Sequence, residues 1–400
     1  MLLLGSLSGG GAERVAVNLM NRCDPLAVDL RLGLLRRAGR YLDEVDPCRI
    51  VEPRIARTGA PAALRAPADI AGMVRSVRPQ VLMSFGMGLN MLSWLALRGL
   101  GGHRPAWICR EDSNADAEIA ALTTGRLGRA AVRAAIAHVY RAADARLAVS
   151  RDLASRLERG FALPDGGTRV IHNPIDLARI ARSAARPLAS APERPFIVTA
   201  GRLTHQKGHD LLIDAFAASA AARPMDLVIL GEGPLEGALR ARAARLGVEG
   251  RVMFPGFQAN PWAWFARARL FVLPSRWEGF GNVVAEALAC GVPTLVTDCD
   301  FGPREQVAHG QSGWVVAASD GAALGVGLER LIADDALASR LAAGGRVRAG
   351  AFDIDAIART YADFFVENAA VFAEPVRPAP RETDGRWPRH AAAAPARPAA

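Results

Sequence analysis

The stretch Glu278-Gly-Phe-Gly-Asn-Val-Val-Ala-Glu286 carries two carboxylates eight residues apart, with Gly279, Gly281 and Asn282 between them. Asn282 reads as the N-cap of a helix that Gly291 would close at the C′ position. Glu278 then stands on the loop before the helix, and Glu286 lies one turn inside it. Unpaired backbone N–H groups at such a start attract anions, phosphates among them. One carboxylate can hold sugar hydroxyls and the other a ribose, a combination suited to a nucleotide sugar. Phe280 and the two glycines argue against a plain surface loop, because glycine lets a ligand approach the backbone closely. Taken singly, the two glutamates also read as an ordinary loop charge and an ordinary helix-surface charge.

A second group of charges is Gly201-Arg-Leu-Thr-His-Gln-Lys207-Gly208, directly after the apolar run FIVTA. If that run is a strand, Arg202 and Lys207 sit at its carboxyl end. Two cations there would stabilise a diphosphate leaving group as its charge develops. A pair of solvated loop charges is the plainer alternative. Near the N-terminus, Ser8-Gly9-Gly10-Gly11-Ala12-Glu13 joins an apolar run to a helical pattern. A glycine-rich loop at a helix start is a second anion site, or simply a tight turn.

These loops need elements to hold them. Short apolar runs, glycine-rich turns and helical patterns alternate from end to end, as in ARLAVS before RDLASRLERG and LVILG before LEGALRARAARLG. That alternation predicts an α/β fold with parallel sheets covered by helices on both faces. Ligands then gather beyond the carboxyl ends of the strands. Residues 182–195, rich in Ala, Pro and Arg, read as a linker between an acceptor-side half (1–181) and a nucleotide-sugar-binding half (196–350), with a cleft between them. A closing helix is expected over 351–373. Residues 374–400, largely Pro, Ala and Arg, are expected to be disordered.

The five cysteines are scattered and lack metal-ligand spacing, which suits reduced thiols in a cytoplasmic protein. No signal peptide is read at the N-terminus. Residues 81–97 carry no charge, yet they read as a buried strand, a glycine turn and a helix rather than a membrane span. The net charge of +9 is carried mostly by dispersed arginines, and aromatics make up 6%. That pattern gives no recognition motif for a specific nucleic acid, so a basic nucleic-acid-binding protein is a weak alternative. Arg126, Arg129, Arg133 and Arg141 would share one arc of a helix over 126–141, a face that could rest on an anionic membrane surface if it is not simply solvated.

The order GGGAE (9–13), HNPID (172–176), GRLTHQKG (201–208), GEGP (231–234) and EGFGNVVAE (278–286) resembles the retaining glycosyltransferases of family 4, with the last piece similar to their E-x7-E motif. DFGPRE (300–305) resembles a subset that builds bacterial surface polysaccharides and lipid-linked glycans. The resemblance is strongest over 170–307 and weaker in the N-terminal half. It implies a GT-B fold, two Rossmann-like domains facing a central cleft. It implies transfer of a sugar from a nucleotide sugar, UDP-linked in first place, to a saccharide or lipid-linked acceptor, with retention and with no cofactor or metal. Arg202 and Lys207 match the pair on the donor diphosphate, Glu278 the carboxylate on the sugar hydroxyls, and Glu286 the one on the ribose. Phe280, Gly281 and Asn282 match the segment whose backbone meets sugar and phosphate. Gly10 and Gly11 match the loop that approaches the donor from the other domain, and Gly256 and Phe257 loosely match the base site.

One departure stands out. Many relatives carry an N-domain histidine beside the donor sugar, whereas the corresponding region here reads Trp107-Ile-Cys-Arg-Glu-Asp-Ser-Asn114. Arg110, Glu111 or Asp112 takes over, or the role is absent. His103, His138 and His172 read as structural or surface residues. Asp298-Cys-Asp300 spells a metal motif of a different fold, and GEGP resembles part of a dinucleotide fingerprint that Pro234 spoils. A glycosidase would use two carboxylates but leaves the two cations unexplained. A sugar-nucleotide epimerase of the same fold is the nearest alternative.

Overall fold

The computed structural model describes residues 1–53, 62–101, 104–123, 125–188, 192–220 and 222–372. The apolar runs become two separate parallel sheets. The first holds β1 (Leu2–Leu4), β2 (Leu32–Leu34), β3 (Ile50–Val51), β4 (Val81–Phe85), β5 (Ala106–Glu111), β6 (Ala145–Ala148) and β7 (Thr168–Val170), in the order β3-β2-β1-β4-β5-β6-β7. The second holds β8 (Phe196–Ala200), β9 (Asp226–Leu230), β10 (Val252–Gly256), β11 (Leu270–Leu273), β12 (Thr294–Asp298) and β13 (Trp314–Ala317), in the order β10-β9-β8-β11-β12-β13. Every residue of β4, β5, β8, β9 and β11 is buried, as continuous apolar strands covered on both faces should be.

Helices fill the crossovers. In the first half they are α1 (Gly11–Arg22), α2 (Ala62–Val77), α3 (Gly86–Arg98), α4 (Ala115–Leu122), α5 (Arg126–Ala142), α6 (Arg151–Phe161) and α7 (Leu177–Ala184). In the second they are α8 (His209–Ala218), α9 (Glu236–Arg245), α10 (Trp262–Phe265), α11 (Asn282–Cys290), α12 (Pro303–Gln306), α13 (Gly321–Ala333) and α14 (Asp335–Ala349). The last helix, α15 (Ile354–Phe372), returns to the first sheet. It buries Tyr361, Phe364 and Phe365, and its Ala358 carbonyl accepts from the thiol of Cys23, the residue after α1, at 3.7 Å.

Strand order reverses between β1 and β4 in one sheet and between β8 and β11 in the other. A crevice opens at the carboxyl ends of the strands at each such point. The loops that flank these points are the segments after β1 and β4 and the segments after β8 and β11. They carry Gly9–Gly11, Gly86, Arg202–Lys207 and Glu278–Gly281. The topology therefore gathers the chemically suggestive loops of both halves before any side chain is considered.

One sequence expectation meets the structure differently here. Residues 182–184, read as the start of the linker, are the last turn of α7, whose buried Ile180 anchors it. The helix expected over 126–141 forms as α5, and two of its four arginines also bond to neighbouring elements. Arg133 pairs with Asp116 and donates to the Gly160 carbonyl at 2.7 Å, and Arg141 donates to the Phe161 carbonyl at 2.8 Å. Both arginines satisfy carbonyls at the end of α6, where a cation also suits the helix dipole. Arg126 and Arg129 remain exposed beside Leu127. The expected disordered tail, 374–400, and His103 lie outside the described residues. Among the described residues no helix is long and apolar enough to cross a membrane, and all five cysteines are free thiols.

Candidate active site

The loop after β8 and the loop after β11 are tied together before any ligand is considered. Gly208 adopts φ +64°, and a Cβ there would lie 2.1 Å from the Pro274 carbonyl oxygen, so only glycine allows this approach. Arg276 donates to both carboxylate oxygens of Asp210 at 2.9 and 2.7 Å, and Gln206 Nε2 donates to the Trp277 carbonyl at 3.0 Å. This frame brings Lys207 Nζ to 2.5 Å from Glu278 Oε1, which also accepts from the Ser275 hydroxyl at 2.6 Å. Glu278 is only 4% exposed. The sequence reading gave Lys207 to a diphosphate and Glu278 to a sugar; the fold joins them as an ion pair. Arg202 is exposed, and its charge reaches Glu13 of the other half.

Asn282 is not the N-cap. Gly281, at φ +81°, takes that position, and Asn282 is the first helical residue. Glycine is suited to the left-handed region, and the exchange frees the Asn282 side chain to point across the cleft. The first turn of α11 has neither an acidic residue nor a side-chain cap, and although the Val284 N–H donates to the Gly281 carbonyl at 2.9 Å, the N–H groups of Asn282 and Val283 are left to attract an anion. Gly291, at φ +68°, closes the helix as expected. Glu286 accepts from the Trp262 indole N–H at 3.0 Å. Burial pushes its carboxyl above the ordinary range, while that bond and the nearby Arg14 and Arg179 pull it back.

The N-terminal half answers with the loop after β1. Gly10 is the N-cap of α1, and Glu13 at the third helical position reaches back to the Gly10 N–H. That is half of a capping box, with glycine in place of serine. The chain's own carboxylate thus meets the helix start that the sequence reading offered as a second anion site. Burial raises the Glu13 pKa, against its bonds to the Glu13 and Gly10 N–H groups and the attraction of Arg202. Gly11 touches the other half directly, because Asn282 Nδ2 donates to its carbonyl at 3.3 Å. Gly256 lies at φ +75° near Glu232. Arg40 lies 4.0 Å above the Phe257 ring and pairs with Glu232 at 2.9 Å, bridging the halves at the expected base site.

Between these walls the halves are in contact. A Cβ on Gly279 would lie 1.7 Å from the Asp112 carbonyl oxygen, and the Ser150 hydroxyl donates to the Gly279 carbonyl at 3.0 Å. Glu305 Oε1 accepts from the Asp152 N–H at the start of α6, and Glu305 Oε2 lies 3.0 Å from His172 Nε2. Phe280 is 2% exposed and packs against His172 and Phe352, so its ring serves the core while its backbone borders the cleft. His138 stacks edge-on against Trp94 at 5.4 Å. Where the histidine was missed, Arg110 is wholly buried. It pairs with Asp112 and donates to Tyr361 Oη at 3.2 Å and to Asn173 Oδ1 at 2.8 Å. Of the suspect pair around Cys299, Asp298 gives both carboxylate oxygens to Arg304. Asn173, Ser150, Glu305 and Glu13 were not singled out from sequence as site residues. Glu13 had a local signal, three positions after a glycine N-cap, and Asn173 and Glu305 lay within the HNPID and DFGPRE motifs.

Chemically, a lysine–glutamate pair, an exposed arginine and an uncapped helix start converge from the second sheet, opposite Gly10, Gly11 and Glu13 of the first. Comparison with known proteins agrees with this picture of two halves. The model described as "Glycosyltransferase Family 4" matches residues 9–179, and "Glycosyl transferases group 1" matches 182–348. A relative from Campylobacter jejuni, N-acetylgalactosamine-N,N'-diacetylbacillosaminyl-diphospho-undecaprenol 4-alpha-N-acetylgalactosaminyltransferase, is 34% identical over 56% of this chain and 60% of its own. The lipopolysaccharide core biosynthesis mannosyltransferase LpsB of Rhizobium meliloti is 33% identical over 53% of this chain and 61% of its own. The match thus spans about three fifths of the length of these two relatives. Among solved structures, Anabaena Alr3699/HepE in complex with UDP and glucose superposes with TM-score 0.69 at 20% identity, over 92% of this chain and 98% of the other.

Proposed function

This chain belongs to the family 4 glycosyltransferases, with the two Rossmann-like domains of the GT-B fold, and from that premise we propose that it moves a sugar from a nucleotide sugar to a saccharide or lipid-linked saccharide acceptor. UDP is the proposed carrier, and the anomeric configuration is retained. The observation that carries the proposal is the Lys207–Glu278 pair beside the open start of α11, with Arg202 on the same loop as Lys207 and its charge acting on Glu13 of the other half. The names of the Campylobacter and Rhizobium relatives support a lipid-linked or lipopolysaccharide acceptor. The UDP in the Anabaena structure supports the base.

In this reading the diphosphate lies at the start of α11, where first-turn N–H groups and the helix dipole favour negative charge. Arg202 and Lys207 meet the charge that builds on the leaving phosphate, so the reaction needs no metal in this proposal. Both recorded bonds to Glu278 fall on Oε1, which leaves Oε2 for a sugar hydroxyl. Glu286 keeps one oxygen on Trp262 and offers the other to the ribose. Closure of the halves excludes water from the reacting carbon and limits wasteful hydrolysis.

Release of nucleoside diphosphate from a panel of UDP-, GDP- and ADP-sugars, with saccharide and lipid-linked acceptors, tests this. One donor should turn over, and Lys207→Ala or Arg202→Ala should each lower turnover by roughly a hundredfold. Turnover near wild type in both variants would remove the mechanism.

A further inference from the structure

The HNPID segment, 172–176, has no role in the function so far, yet its residues bond in turn to different parts of the molecule. His172 faces Glu305 of α12 at 3.0 Å. Asn173 Nδ2 donates to Asn282 Oδ1 of α11 at 2.7 Å. The Pro174 carbonyl accepts from Asn18 of α1 at 3.0 Å. Ile175 exchanges backbone bonds with Phe352 and Ile354 before and at the start of α15, at 2.8 and 3.0 Å. The segment is thus a strap that runs along the junction of the two sheets.

Asn173 is the link of this strap that reaches the reaction site. It is 5% exposed, and its two amide atoms serve opposite halves. Oδ1 accepts from the wholly buried Arg110 at 2.8 Å, and Nδ2 donates to Asn282, the first residue of α11. Asn282 in turn donates from Nδ2 to the Gly11 carbonyl at 3.3 Å. The direction of this chain is not arbitrary. A guanidinium has donors only, so the Asn173 oxygen must face Arg110. Its NH2 must then face Asn282 Oδ1, and the Asn282 NH2 must face Gly11. Arg110 is itself fixed by Asp112, by Tyr361 of α15 and by the Phe85 ring 4.5 Å away.

We propose that Asn173 is a positioning residue for sugar transfer, relaying the fixed orientation of Arg110 to the first residue of α11 and so setting the register in which donor-side and acceptor-side loops meet. The proposal rests on the function given above. Its physical basis is that attack on the sugar carbon depends on an alignment between groups from both halves, and displacement by about 1 Å can cost on the order of a hundredfold in rate.

Asn173→Asp isolates the relay. The aspartate keeps the shape and still accepts from Arg110, but it offers Asn282 no N–H. Asn282 must turn its amide or lose the bond, and its contact with Gly11 fails with it. In the full-length protein, kcat should fall about tenfold or more, while donor KM and stabilisation by UDP stay within about twofold. A kcat within about twofold of wild type would overturn the proposal. So would a parallel loss of kcat, UDP stabilisation and melting temperature, which would mean general loosening. Should Asn173→Asp fail to fold, Asn173→Ala, which removes both bonds without adding charge, is read the same way. If wild-type protein turns over no nucleotide sugar, the functional reading fails, and small-angle scattering still tests the strap. A larger radius of gyration in the variant supports it, and an identical one contradicts it.

Discussion

Glu111 shows how far a single residue can depart from what its type suggests. It ends β5 at 2% exposure, accepts from the Tyr140 hydroxyl at 2.5 Å and from the Asp112 N–H at 3.1 Å, and burial pushes its pKa to about 8. The folded protein therefore keeps a proton that the unfolded chain releases above 4.5, the ordinary value. Fewer protons are bound in the unfolded state between these values, so stability falls as pH rises through that window, by up to about 1.4 kcal/mol per pH unit. Glu111→Gln removes the term. In urea titrations the variant should gain on wild type steadily from about pH 5 to about pH 8; parallel curves would show that Glu111 ionises normally. Such residues are poorly legible in a sequence. Glu278 and Lys207 stood out by spacing, but their pairing depends on two loops 71 residues apart. Arg110 and Asn173 are 63 residues apart, and neither the HNPID motif nor the run around Arg110 reveals that they bond.

Elements were legible where a pattern repeats. Continuous apolar runs announced buried parallel strands, and Gly291 announced the end of α11. The start of α11 was misread by one residue, because Asn282 looks like a cap until Gly281 is seen in the left-handed region. The partners of the arginines on α5 were not legible for a related reason. Helical periodicity gives a face, but not which neighbour will cover it, and the α6 carbonyls claimed Arg133 and Arg141. The loop between β11 and α11 depends most on a close approach. With Asp112 backbone atoms 1.7 and 2.5 Å from a Cβ on Gly279, any side chain there must part the halves. Gly279→Ala should therefore lower turnover about tenfold or more, while UDP still raises the melting temperature, since Arg202, Lys207 and α11 are untouched. Unchanged turnover would show that the contact between halves is dispensable.

At the scale of the molecule, alternating strands and helices foretold parallel sheets with ligands gathered at their carboxyl ends, and the family resemblance implied two Rossmann-like domains. How the sheets meet was not foretold, because the contacts that join them link residues more than a hundred positions apart, such as Ser150 with Gly279 and Asn173 with Asn282. Nothing in local periodicity encodes such pairs. The same contacts create the enclosed place where, in this account, one pyrophosphate is held by a guanidinium, an ammonium and a helix start. A crystal structure of the full chain soaked with UDP tests this directly. Phosphate oxygens should lie within hydrogen-bond distance of Arg202, Lys207 and the first N–H groups of α11, with the ribose against Glu286. A nucleotide bound anywhere outside that crevice would contradict it.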